Sequence, residues 1–388
     1  MRSEFVHVLL VLAMAVIGLA SLVGQPAEIT ITGRRGVPVA LRGFQGAEGG
    51  PVAALVAKEL RRSGRVRLEP EPGAYAVSGT AQAGRLEGTV TGPDGRSVLE
   101  RRYEGGDART LARRFAADLL REVTGTPGIV GTRLAFAATG SGRKEIHVVE
   151  DDGGNLRQVT RDGSISVSPA LAPGGTKLAY TGYLNGFADI YLVDLYTGQR
   201  QRLVGEPGTN TGAAFSPDGT RIACTMSHSG NPELHVVSVK GGQARALTRS
   251  RFVESSPSWS PDGKQLVFVS DATGVPQLYV MAADGGRPRR LETGHRHCLE
   301  PDWSPDGARI AFNVRDGGRH QVAIHDLRTG ETRVLTSGAS AEDPVWGADG
   351  RHLAYVQGQT IFLHDTEANT RSPVVSGLGD LSELSWSR

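Results

Sequence analysis

The tightest constraint on this chain is a five-residue phrase that returns at a fixed interval. Phe215-Ser-Pro-Asp-Gly219, Trp259-Ser-Pro-Asp-Gly263 and Trp303-Ser-Pro-Asp-Gly307 share it, with weaker copies at Leu171-Ala-Pro-Gly-Gly175 and Trp346-Gly-Ala-Asp-Gly350. The prolines fall at 173, 217, 261 and 305, a spacing of 44, and Ala348 follows 43 later. A period in the forties filled with strand signals predicts a β-propeller. Within the phrase, proline presets φ, aspartate bonds to nearby backbone and glycine accepts positive φ, so each copy is a tight turn between strands. The large aromatic before it suits packing of one blade on the next.

Each period carries the same strand order. Leu178-Ala-Tyr, Ile222-Ala-Cys, Leu266-Val-Phe, Ile310-Ala-Phe and Leu353-Ala-Tyr fill the slot after the turn. Ile146-His-Val, Ile190-Tyr-Leu, Leu234-His-Val, Leu278-Tyr-Val and Ile361-Phe-Leu fill the slot after that. The count comes to six blades. The first unit starts at Arg133-Leu-Ala-Phe136 without a motif strand, and Leu384-Ser-Trp386 is a motif strand without a blade. Setting the C-terminal strand into the first blade closes the ring and removes two open sheet edges.

Before the repeats lies a compositionally separate zone, 28–125. Its order reads βαβββα: alternation through Ile29, Ile31, Val37, Val39 and Leu41; a helix near Pro51–Leu60; strands at Tyr75–Thr80, Arg85–Thr91 and Ser97–Tyr103; and a helix capped by Asp107 with Leu111, Phe115, Leu119 and Val123 on one face. That order predicts a small α/β layer domain. Arg61, Arg62, Arg65 and Arg67 form a basic cluster after its first helix, either a solvated edge or a partner surface. The fold expected is therefore two-domain: a small N-terminal α/β domain, then an all-β six-bladed propeller over 126–388 with C-terminal strand closure. Residues 1–27 read as a signal peptide, because Val8–Ala20 is an apolar run of 13 residues, short of the roughly 20 that span a bilayer. Cleavage after Ala20 or after Ala27 fits, a retained anchor is the alternative, and no later segment approaches a membrane span.

Composition narrows the function. With 43 basic and 41 acidic side chains, the chain has no broad pull on nucleic acid. Cys224 and Cys298 are the two cysteines, too few for a disulfide scaffold, and the ring sets them two repeats apart. No nucleophile elbow, H-E-x-x-H, phosphate loop or C-x-x-C is present, and His295 with His297 lacks a matched third metal ligand. Neither an enzyme nor a cofactor is expected. More informative are the loops leading into the motif strands, 206–212, 251–256, 293–301 and 337–344. Ring symmetry gathers them at one channel mouth, where Asn210, Arg251, Glu254, His295, Arg296, His297, Glu300, Glu342 and Asp343 make a mixed-charge crown with little apolar content. Such a crown serves solubility or a polar docking surface.

The signal segment, small α/β domain and W-S-P-D-G repeats, with Leu278-Tyr-Val-Met-Ala-Ala-Asp-Gly-Gly286 the most specific stretch, resemble the TolB family. Val56–Arg65 and Leu111–Gly125 resemble its first-domain helices, although that domain is shorter here between Arg42 and Pro51 and around Glu69–Ala74. The resemblance implies a non-catalytic periplasmic component of the Tol–Pal system, supporting outer-membrane integrity and cell division. It implies docking of the peptidoglycan-associated lipoprotein at the propeller mouth, which transfers by motif position to Thr209, Gly212, Ser255, Ser256 and Glu300. It also implies TolA binding by Glu28–Gly33, with Glu28, Ile29 and Ile31 as contacts. A propeller independent of Tol that binds another envelope protein or glycan is the alternative.

Overall fold

In the computed structural model, residues 36–388 other than Glu71 are described; the expected signal peptide, its cleavage sites and Glu28, Ile29 and Ile31 lie outside the described residues. Among the described residues no helix is long and apolar enough to cross a membrane.

The N-terminal layer runs β1 (Val37–Gln45), α1 (Gly49–Arg62), β2 (Val66–Leu68), β3 (Tyr75–Gln82), β4 (Arg85–Thr91), β5 (Ser97–Glu104) and α2 (Ala108–Thr124). The short strand β2 is the one element the sequence reading lacks; it pairs parallel to β1 at the edge of a sheet ordered β2-β1-β3-β4-β5. Val66–Leu68 spans too few residues to show alternation. Both helices are amphipathic: Val52, Val56 and Leu60 of α1 and Leu111, Phe115 and Leu119 of α2 are fully buried against Val77, Leu86 and Val90 of the sheet. Asp107 caps α2 by accepting from the Thr110 amide at 2.8 Å, and Gly125 ends the helix at φ 70°.

Six four-stranded antiparallel sheets follow, one per blade. Their inner strands are Ser166–Leu171, Asn210–Phe215, Glu254–Trp259, Cys298–Trp303, Ala341–Trp346 and Leu381–Trp386. The last pairs with Arg133–Ala138, register Trp386↔Leu134, so blade 1 is closed by the C-terminal strand and blades 2 to 6 follow in chain order. Across the second and third strands, aromatic pairs stack on one face: Phe136 on His147 at 5.6 Å and Tyr180 on Tyr191 at 5.6 Å. His147 and His235 are therefore core side chains, 7 % and 2 % exposed, and burial holds both imidazoles below their ordinary pKa.

The turn phrase works as its chemistry requires. Ser260 donates to Asp262 at 2.6 Å, Asp262 accepts from the Lys264 amide at 3.0 Å, and Gly263 has φ 68°. Between blades the aromatic plate carries a cation: the Arg221 guanidinium lies 4.7 Å over Trp259, and Arg309 lies 4.7 Å over Trp346.

The two degraded copies flank the closure seam. Gly347 stands where the full motif has serine; a Cβ there would come within 2.8 Å of Ile129 and 3.0 Å of the Trp386 ring. A Cβ on Gly175 would come within 3.2 Å of Ser387, and the Gly174 amide donates to the Arg388 carbonyl at 3.0 Å. Seating the C-terminal strand is the physical reason that Gly347 departs from the consensus serine.

The basic cluster divides: Arg61 is exposed and Arg67 pairs with Glu69 at 3.5 Å, whereas Arg62 and Arg65 turn onto the propeller. Arg62 pairs with Glu59 at 2.8 Å and with Asp151, and Arg65 lies 3.8 Å from Asp349. From α2, Arg113 reaches Glu59 at 2.6 Å, Asp151 at 2.5 Å and Asp152 at 2.7 Å, while Arg109 adds Glu150 at 2.8 Å. Asp151 and Asp152 follow the third strand of blade 1, and Asp349 lies in the first turn of blade 6; both turns are at the ends of strands that run away from the mouth. The α/β layer thus docks on the face opposite the mouth and leaves the mouth uncovered.

Candidate channel-mouth site

Every inner strand contains a bulge, and the third residue of each strand is left-handed: Ser168 (φ 49°), Gly212 (65°), Ser256 (52°), Glu300 (50°), Asp343 (57°) and Glu383 (59°). A residue at positive φ inserted in an antiparallel ladder kinks the strand and re-aims its side chain. Here all six line one central cavity of about 550 Å³, whose wall continues past Trp259 toward Pro173, Pro217, Pro261 and Pro305 at the turn end. Five of the six are not glycine, so the strain is accepted around the ring where side chains are needed.

The six positions divide into halves. Blades 2, 3 and 4 contribute Ser168, Gly212 and Ser256; blades 5, 6 and 1 contribute three consecutive carboxylates. These are strung together by the backbone of the next blade. Glu300 accepts from the Asp343 amide at 3.3 Å, Asp343 from the Glu383 amide at 2.5 Å, and Glu383 from the Ser168 amide. Asn313 also donates to Glu300, at 2.9 Å. Among the described residues none of the three is ion-paired with a lysine, arginine or histidine. Burial raises the Glu300 carboxyl well above the usual range, with the neighbouring Asp343 charge next. Burial likewise lifts Asp343 to about 6, against the pull of the Glu383 amide.

A carboxyl whose folded pKa is raised stabilises the protein fully below its unfolded pKa and loses that contribution as pH rises through the folded one. A rise from 3.8 to about 6 corresponds to at most about 2–3 kcal/mol. Asp343→Asn keeps the acceptor for Glu383 and removes the charge. It is expected to raise the denaturation midpoint at pH 8 and leave it unchanged near pH 4, measured by urea unfolding; an unchanged midpoint at both values contradicts the buried-charge reading.

The other expected crown residues separate on inspection. Gly212, Ser256, Glu300 and Asp343 line the cavity. Thr209 and Arg251 are exposed on the rim, where the Arg251 guanidinium lies 5.2 Å from the Phe252 ring centroid. Ser255 and His297 are partly buried, and Glu342 bonds His320 at 3.0 Å. Asn210 and Glu254 are 0 % and 4 % exposed: Asn210 donates to the Glu206 carbonyl at 2.8 Å and Glu254 accepts from Ser250 at 2.6 Å, so both shape loops from within. His295 and His297 gain no further ligand, and among the described residues no group of three His, Cys, Asp or Glu could hold a metal. Cys224 and Cys298 are both buried and free, and burial pushes the Cys224 thiol up to about 12.

Three features escaped the sequence reading. Ser168 and Glu383 occupy the same motif position as Gly212 and Glu300, and superposing the degraded repeats on the strong ones would have found them. Asn313 carries no local signal. The rim is also less polar than expected: Ile165, Tyr183 and Phe187 of blade 2 are 46 %, 37 % and 69 % exposed, with the Tyr183 amide donating to the Ile165 carbonyl at 3.0 Å.

The family model for the TolB beta propeller domain matches residues 120–388. The protein named "Tol-Pal system protein TolB" of Desulfosudis oleivorans is 47% identical over 77 residues, 19% of this chain and 18% of that protein. The "Protein TolB homolog" of Chlorobaculum tepidum is 41% identical over 98 residues, 24% of this chain and 23% of that one. The aligned stretches therefore span about a fifth of these curated relatives. The crystal structure of TolB from Acinetobacter baumannii superposes with a TM-score of 0.76 at 24% identity, covering 91% of this chain and 97% of that one, which shows the same fold across both layers. The ring of turn phrases and the matched span together establish that this chain belongs to the family of the TolB beta propeller domain.

Proposed function

We propose that this chain is the non-catalytic, periplasmic propeller component of a Tol–Pal system, docking the peptidoglycan-associated lipoprotein at its channel mouth. The observation that carries this reading is the mouth itself: an uncovered, concave, partly charged ring whose backbone is strained at five positions, on the face that the α/β layer leaves free. Strain and uncompensated charge concentrated at one place cost stability, and they are retained where a surface has work to do. Family membership and the names of the curated relatives support the Tol–Pal assignment. In this role the protein links the lipoprotein to inner-membrane Tol proteins, with Glu28–Gly33 as the TolA-binding segment, and supports outer-membrane integrity and cell division. Thr209, Gly212, Arg251, Ser255, Ser256, His297, Glu300, Glu342 and Asp343 form the docking face. Hydrogen exchange of the full chain with the lipoprotein's soluble domain tests this placement directly.

A further inference from the structure

Three carboxylates on three consecutive blades face one cavity, while the opposite half of the same ring is small and uncharged. Each carboxyl accepts from the backbone of the next blade, Glu300 also accepts from Asn313, and the Glu300 and Asp343 side chains share a hydrogen bond. A second observation comes from Asn313. It is 2 % exposed, its Nδ2 is committed to Glu300, and the Oδ1 of the same amide has no partner. A buried amide oxygen without a donor is a costly orphan, and a buried carboxylate without a cation costs more. Arg388 also lines the cavity but is held by Asp302, so what the half-ring lacks is a multi-donor cation of its own. Next to the Glu383 end of the half-ring, on blade 2, stands the exposed apolar group Ile165, Tyr183 and Phe187.

We propose that the mouth is a two-part receptor: the half-ring of Glu300, Asp343 and Glu383 with Asn313 Oδ1 takes the lysine or arginine side chain of a docked protein, and the Phe187 rim takes an apolar patch beside that side chain. The proposal rests on the docking reading above and specifies its chemistry. A protruding ammonium or guanidinium group offers three to five donors to carboxyls that have no ion-pair partner among the described residues and to the orphaned Asn313 Oδ1. The cavity of about 550 Å³ has room for such a stem. Charge completion at the centre supplies orientation, and an aromatic anchor at the rim supplies buried area, the division usual in protein interfaces. The asymmetry fixes the partner's rotation about the channel axis, since a pseudo-sixfold ring of identical blades offers no register of its own.

The test is isothermal titration of the full chain with the soluble domain of the peptidoglycan-associated lipoprotein, using the wild type, Glu300→Gln/Asp343→Asn/Glu383→Gln, and Phe187→Ala. The amide replacements preserve every backbone acceptor, and circular dichroism checks the fold. The triple variant is expected to bind at least tenfold more weakly and to lose most of the salt dependence of Kd; Phe187→Ala is expected to lose several-fold affinity with the salt dependence intact. An alanine scan of the lipoprotein's lysines and arginines should then find one whose removal costs the wild type tenfold or more and the triple variant nothing. Binding that is unchanged in the triple variant overturns the cation receptor while leaving mouth docking standing. A wild-type chain that does not bind the lipoprotein overturns the docking reading and this proposal with it.

Discussion

Replacing Arg113 with alanine is expected to lower the unfolding free energy by about 3–5 kcal/mol, the range for breaking a buried ion pair and stranding its partners. Arg113 is 4 % exposed and is the hub between α2 and blade 1, touching Glu59, Asp151 and Asp152 within 2.7 Å. Glu59 and Asp151 are 2 % and 1 % exposed, and burial already pushes the Asp151 carboxyl up against the attraction of Arg62 and Arg113. Without Arg113 the cluster keeps four acids and two arginines, so the Asp151 carboxyl should resist ionisation further. Its penalty is present above its raised pKa and disappears once both states are protonated, so the loss should shrink as pH falls toward 4. Guanidinium unfolding at pH 7.5 and pH 4 measures both claims. A loss under about 1 kcal/mol at pH 7.5 would mean the α/β layer is held by its apolar contacts and not by this network.

Opening the ring should have a comparable effect. Trp386 is 5 % exposed, packs with Ile129, Leu134 and Phe136, and donates to Thr132 at 2.8 Å. Truncation to alanine removes a large aromatic from a closed core, for which about 3–5 kcal/mol is typical. Removing Leu384–Arg388 should cost more, because it strips the Ser385↔Ala135 and Trp386↔Leu134 pairs and exposes two strand edges. Gly347→Ser, which would restore the repeat's consensus, is also expected to destabilise, since its Cβ would overlap Ile129 and the Trp386 ring. Denaturation midpoints equal to wild type in all three variants would contradict strand closure.

Much of the fold was legible because its constraints are local and repeated. The Ser-Pro-Asp-Gly turns use residues whose φ preferences and side-chain acceptors define the turn by themselves, and a 44-residue period multiplies a weak strand signal into a ring. Closure was readable from what the unit at Arg133 lacks and what Trp386 supplies. The interdomain surface was not legible: Arg62 and Arg113 look like ordinary helix-surface cations and Arg65 like a loop cation, and their partners on the propeller lie some 40 to 290 residues away in sequence. The site was half legible. Motif position put Gly212, Ser256, Glu300 and Asp343 at the mouth, but side-chain type alone gave no sign that Asn210 and Glu254 turn inward. That distinction depends on the bulge, which sets the third residue of each strand toward the channel.

Docking at the mouth is the claim on which the functional account turns, and hydrogen exchange followed by mass spectrometry reads it without mutation. The full chain is exchanged alone and with a saturating amount of the lipoprotein's soluble domain. Protection is predicted in 206–212, 251–256, 293–301 and 337–344 and in the Ile165–Phe187 rim, with 150–155 and 347–351 on the opposite face unchanged. Protection confined to those opposite turns and the α/β layer, with the mouth exchanging at its free rate, would contradict the account.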